Sequence, residues 1–155
     1  MRKMAFAASA VAIVAVVLGG VVAATASSDL SSPRTITVME KDTQSHFVDV
    51  GASGLNLGDS FVFSGVLRHA GKRVGHDGAE CTLVHAHPAK WQCEATYKLP
   101  GGEITGQVLV HFTKPPQTFL VAVNGGTNVF RNARGQATIK ALTDTTSRDT
   151  FNLIP

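Results

Sequence analysis

A chain of 155 residues is the size of one domain. Its charges nearly balance, with 14 basic residues against 11 acidic, and Arg2 and Lys3 at the extreme N-terminus supply two of the basic ones. No block of Lys and Arg follows residue 27, which excludes nucleic acid as an expected partner, because phosphate binding needs concentrated positive charge.

The chain opens with the features of a secretion signal. Arg2 and Lys3 form a short basic start, and residues 4–26 carry no charge. Ala24-Thr25-Ala26 has the small-x-small pattern at which signal peptidase cuts. The expected organisation is a signal peptide over residues 1–26, a polar leader over 27–34 and one domain over 35–155. The protein is expected outside the cell, with no stable membrane insertion after cleavage. The rival reading is an uncleaved membrane anchor, since the run is long enough to cross a hydrocarbon core of about 30 Å. The Ala/Gly-rich composition, the cleavage motif and the polar Ser27-Ser28-Asp29 favour cleavage. No twin arginine precedes the run and no cysteine stands at the cut, so neither Tat export nor a lipoprotein anchor is expected.

From Thr35 onward no helix-length run has a period of 3.6. Short alternating segments are broken by Gly, Pro, Asn and Asp instead. Strands are predicted over 35–40, 59–69, 80–85, 91–99, 103–113, 118–124, 135–142 and 148–154. In the second, Phe61, Phe63 and Leu67 share one face while Val62, Val66 and Arg68 share the other. Eight short strands joined by tight turns predict an all-β fold, an antiparallel meander closed into a barrel, because closure removes exposed edges. An immunoglobulin-like sandwich is the alternative. It is disfavoured because Cys81 and Cys93 lie too close in sequence to bridge two facing sheets.

Both cysteines belong to the exported part, where an even count reads as a disulfide. Cys81, His85, His87 and Cys93 could also form a tetrahedral zinc site. An oxidised pair cannot bind zinc and the spacing matches no common zinc module, so no metal and no cofactor is expected. No serine sits in a Gly-x-Ser-x-Gly elbow, which leaves hydrolase chemistry without a signal.

Three acids are candidate catalytic groups. Glu40 and Asp42 are two apart on the first strand and therefore share a face. If that face lines a barrel interior, repulsion and desolvation raise their pKa values, which suits acid/base work. Asp49 stands between Val48 and Val50, and if buried it would need a partner such as Arg131 or Arg134. The most unusual stretch runs from Asn124 to Gly135, with glycines and two arginines around Phe130. On physical grounds it reads as a kinked strand, with glycines allowing close approach or a sharp turn.

The segment Gly125-Gly126-Thr127-Asn128-Val129-Phe130-Arg131-Asn132-Ala133-Arg134-Gly135 resembles the signature of the allene oxide cyclase and dirigent superfamily. Residues 47–51 (FVDVG), 58–63 (GDSFVF), 71–75 (GKRVG) and 99–102 (LPGG), together with the cysteine pair, are similar to exported bacterial members. The resemblance implies an eight-stranded antiparallel barrel with an apolar pocket. Such proteins either cyclise an unstable fatty-acid epoxide or hold reactive intermediates so that they couple with one stereochemistry. It also implies a small apolar molecule as partner and a possible homo-oligomer. By resemblance, Glu40 takes the place of the cyclases' first-strand glutamate, and Asp42 stands where they carry an asparagine that holds a water. Asn128 replaces the third signature glycine. Phe61, Phe63 and Phe130 are the expected ligand-facing aromatics, although in the signature Phe130 also has a structural reading. Gly125, Gly126, Gly135, Arg134 and the disulfide are expected to be structural. Two functions follow: a barrel that steers cyclisation or coupling of a small apolar molecule, or an extracellular binding protein without chemistry.

Overall fold

The computed structural model describes residues 33–154. The expected signal segment, and the leader up to Ser32, lie outside the described residues. Eight strands follow one another: β1 (Arg34–Val48), β2 (Ser60–His69), β3 (Lys72–Ala86), β4 (Ala89–Leu99), β5 (Gly102–Val110), β6 (Gln117–Gly126), β7 (Arg134–Thr143) and β8 (Thr146–Ile154). Each pairs antiparallel with the next, and β8 returns to β1, so the sheet is a closed barrel. Every predicted strand is present. The largest differences are in β1, which runs on to Val48 rather than ending at Glu40, and in β3, which starts at Lys72 rather than Glu80. The first half of β3 carries Gly75 and Gly78 among charged residues, which hides the alternation.

Period two sorts each strand into an inner and an outer face. The lower half of the lumen is a packed core that includes Val38, Leu67, Leu99, Ile104, Val123, Phe151 and Leu153. Each such side chain contributes about 1.5–3 kcal/mol by leaving water. Tyr97 stacks edge-on against Phe151, with ring centroids 4.8 Å apart.

The glycine-arginine stretch corrects the expectation of a kinked strand. After Gly126 the chain leaves the sheet and makes one 3-10 turn, Asn128–Phe130, before entering β7. That turn carries Phe130 into the core and plugs the lower end of the barrel. Two features permit it. A Cβ at Gly126 would strike the carbonyl oxygens of Phe130 and Glu103, so only glycine fits there. Asn128 has φ 53°, a left-handed conformation that asparagine tolerates better than other residues with side chains. Arg34 lies over the Phe130 ring, 5.2 Å from its centroid.

At the upper end β1 outruns its neighbour. It pairs with β8 only from Arg34 to Lys41, because β8 begins at Thr146. A bulge at Thr43 then shifts its register against β2. Past that bulge the strand is exposed on both faces. The β1–β2 loop is pinned by Asp59, which is fully buried and accepts hydrogen bonds from the backbone N–H groups of Val50 (2.8 Å) and Asn56 (2.7 Å). No helix among the described residues is long and apolar enough to cross a membrane.

Candidate active site

Small inward residues leave the upper half of the barrel open. Ala79, Ala95, Gly106 and Ala141 replace the bulky side chains of the lower core, and a cavity of about 240 Å³ remains. Its walls are apolar and largely aromatic, with Phe61, Phe63, Phe112 and Phe119 among them. The Cys81–Cys93 disulfide is formed and its two cysteines face the lumen, so they cannot serve a zinc site. Among the described residues no group of three or more His, Cys, Asp and Glu side chains is arranged to hold a metal ion.

The charged groups that line the cavity are all acids. Glu40 and Asp42 come from β1, Asp77 from β3 and Asp149 from β8, and Asp144 stands exposed at the rim. No Lys, Arg or His lines the cavity among the described residues. Glu40, Asp77 and Asp149 are buried, at 6%, 5% and 2% exposure. Glu40 Oε1, Asp42 Oδ1 and Asp77 Oδ1 are buried without a hydrogen-bond partner. Few buried polar atoms in a folded protein are left in that condition.

Backbone geometry brings these acids together. Glu40 lies opposite Ser147 across the β1–β8 ladder, and the Ser147 hydroxyl is 3.4 Å from Glu40 Oε2. The same hydroxyl donates to Asp149 Oδ1. Gly65 supplies the space on the other side. A Cβ there would strike Glu40 Oε1 and lie 2.9 Å from Asp77 Oδ1.

Burial is the first cause of every raised pKa in the cluster, and mutual repulsion adds to most of them. Glu40 is pushed up to about 9 by desolvation and then by the charges of Asp42, Asp77 and Asp149. Desolvation also raises Asp42, while its contact with the Glu40 carboxyl pulls it back down. Asp77 is raised to about 6 by burial and by Asp42, against the pull of nearby backbone N–H groups. Asp149 reaches about 7 through burial, although its hydrogen bond from Ser147 lowers it. The Tyr97 hydroxyl, at the bottom of the cavity, is pushed well above its usual value by burial and by Asp149. Near neutral pH the cluster thus holds protonated acids beside ionised ones. Such a mixture can both give and accept protons.

The residues predicted from sequence divide as follows. Glu40, Asp42, Phe61 and Phe63 line the cavity. Asp49 does not. It lies exposed just beyond β1, where that strand has left the barrel. Phe130 is also absent from the cavity; it is buried in the plug below. Arg134 is exposed at the start of β7, opposite Ile154 at the lower end and away from the acids. Asp77, Asp149, Ser147 and Tyr97 were not anticipated. Their signal was alternation: Asp77 shares a face with Cys81 and Leu83, and Asp149 with Phe151 and Leu153.

No protein-family model matches the chain, and neither does any curated protein. Solved structures do match. The barrel superposes on a pyocyanin demethylase with a TM-score of 0.69 and 31% identity, covering 77% of this chain and 99% of that one. An exo-specific intermolecular Diels-Alderase, AbnU, matches with a TM-score of 0.64 and 13% identity over 79% of this chain and 98% of that one. A pterocarpan synthase dirigent protein matches with a TM-score of 0.59 and 16% identity, over 79% of this chain and 88% of that one. The last two show a shared fold. The closed barrel is a fold that this chain shares with them. The chain belongs to the family of the pyocyanin demethylase.

Proposed function

We propose that this barrel is an exported small-molecule enzyme. It takes one mainly apolar, aromatic molecule with a basic or cationic nitrogen into its lumen, and Glu40, Asp42, Asp77 and Asp149 move protons on it. One observation carries this reading: five carboxyl groups face a single apolar cavity that no cation lines among the described residues. Buried carboxyls weaken a fold unless they are compensated, so their concentration in a cleft is explained by binding or chemistry. A cationic or basic ligand would satisfy the unpartnered oxygens of Glu40, Asp42 and Asp77 and hold the acids in their ionised forms. Phe61 and Phe63, with ring centroids 5.5 Å apart, would cover an aromatic face. The name of the family member that is 31% identical makes pyocyanin the first compound to test.

The experiment is incubation of the purified chain with pyocyanin, followed by visible absorbance and mass spectrometry. Saturable binding and a demethylated product are expected, and Glu40→Gln should abolish the product. Binding a neutral isostere as tightly as its cationic counterpart would overturn the charge-based reading.

Shape-directed cyclisation or coupling is the second reading. The wall built by Ala79, Ala95, Gly106 and Val108 is favourable to it, since an apolar surface orients a ligand by fit alone. It predicts that Glu40→Gln leaves the stereochemical outcome intact. Self-association is a further part of this proposal, supported by Leu109 and Leu120, which are more than half exposed on the outer wall of neighbouring strands. Sedimentation velocity measures it.

A further inference from the structure

We propose that Ser147 is a positioning residue that relays a proton between Glu40 and Asp149, accepting from one carboxyl while it donates to the other. Its hydroxyl contacts both acids, Oε2 of Glu40 at 3.4 Å and Oδ1 of Asp149 by a short hydrogen bond. The arrangement follows from the ladder. Ser147 is the register partner of Glu40, and Asp149 lies two residues further along β8 on the same inner face. All three residues are buried, which keeps bulk water from taking over either contact.

A serine hydroxyl owns one proton and can donate only once at a time. For both contacts to be hydrogen bonds, one carboxyl must bring a proton of its own. The stable unit is therefore a protonated carboxyl donating to Oγ while Oγ–H donates to an ionised carboxyl. With Glu40 protonated and Asp149 ionised, two protons fill the two contacts and the unit carries one negative charge. If Glu40 passes its proton to Oγ as Oγ passes its own to Asp149, the charge moves from Asp149 to Glu40. No bond between heavy atoms changes and no proton enters or leaves. A ligand that takes a proton at one end of the unit and returns one at the other is served by the same reversal, so the pair is reset without solvent. That use rests on the proposed acid/base function, but the relay itself is a property of the empty protein.

Other groups bear on both ends. Glu40 faces Asp42 from its own strand and Asp77 from β3, and Asp149 faces Asp77, Asp42 and the hydroxyl of Tyr97 from β4. Asp42 and Asp77 raise both ends alike, and the phenol, kept protonated by burial, adds no charge to either. The Ser147 hydroxyl acts in opposite directions at the two ends, supporting the proton on Glu40 and the charge on Asp149.

The test is carboxyl ¹³C NMR titration of the full mature chain without ligand, comparing wild type with Ser147→Ala, Ser147→Gly and Ser147→Thr. Disulfide mass and circular dichroism verify the fold of each variant. Removing the hydroxyl should bring the two midpoints together, with Glu40 falling and Asp149 rising by about half a pH unit or more. Ser147→Thr, which keeps a hydroxyl, should retain the wild-type separation. Midpoints that move in the same direction in both hydroxyl-free variants, or that do not move, would overturn the relay. That result would leave turnover and binding of pyocyanin untouched as a separate measurement.

Discussion

The backbone of Gly65 stands so close to the carboxyl of Glu40 that no side chain fits between them. Across the β1–β2 ladder, Gly65 is the register partner of Asp42, and the space above its Cα is filled by Glu40 Oε1 and Asp77 Oδ1. Gly65→Ala must therefore displace the acid cluster or the wall that carries it. We expect a loss of about 1–3 kcal/mol in unfolding free energy, the usual cost of overpacking. Ligand affinity should fall at least tenfold. Urea denaturation and ligand titration measure the two effects separately, and unchanged affinity would show that Glu40 does not need its present position.

The acids also set the sign of the pH dependence. Glu40, Asp77 and Asp149 hold protons in the folded chain at pH values where the unfolded chain has released them. Their contribution to stability is therefore greatest below the unfolded carboxyl range, near about pH 4. It diminishes as pH rises through about 6 for Asp77, about 7 for Asp149 and about 9 for Glu40. The melting temperature should fall on going from mildly acidic to alkaline buffer. Glu40→Gln and Asp149→Asn, which cannot ionise, should each flatten that slope. Melts across a pH series provide the measurement, and a slope of the opposite sign would refute the assignment of raised values.

Two acids on or just after the first strand give a sharp contrast. Glu40→Gln alters a buried carboxyl of the cavity, whereas Asp49→Asn alters an exposed one beyond the barrel. The first should abolish ligand turnover, and the second should leave both turnover and melting temperature unchanged. Parallel assays of the two variants decide this. An inactive, well-folded Asp49→Asn would return that residue to the site.

The plug and the staple differ in what they stabilise. Phe130→Ala empties a fully packed position at the lower end and should cost about 3–5 kcal/mol. Opening the Cys81–Cys93 link frees only a short loop. By the chain-entropy model that loss is about 3 kcal/mol at most, because the two cysteines are already register partners in the β3–β4 hairpin. Chemical denaturation of Phe130→Ala and of a Cys81→Ser/Cys93→Ser double variant should rank them in that order.

Much of the barrel is legible in the chain because antiparallel strands announce themselves by alternation and turns. Phe61, Phe63 and Leu67 fall on the inner face as their spacing requires, and Cys81 pairs with Cys93 as one hairpin. The site is legible only in part. Glu40 and Asp42 share a face by spacing, but whether that face is inside depends on the closure of β1 against β8, a contact between the two ends of the domain. Asp149 and Asp77 were hidden because a lone aspartate in a strand reads as solvated; only the apolar residues two and four positions away mark it as inward. Asp49 misled for the converse reason. Its valine neighbours suggest burial, yet β1 has outrun β8 at that point and both faces meet water. Asn128, which replaces a glycine of the signature, has a φ of 53°, a left-handed conformation that asparagine tolerates.

Among the described residues Phe130 gives the lumen a floor, while Asp144 stands at the exposed rim of the cavity. On the proposed function, a product would leave past Phe112 and Asp144, the side by which its precursor arrived. Residence time would then depend on the outgoing molecule's charge: the acids would hold a product that keeps a positive charge and release one that has lost it. The same carboxyls that draw a cation in would thus decide the order in which molecules come and go.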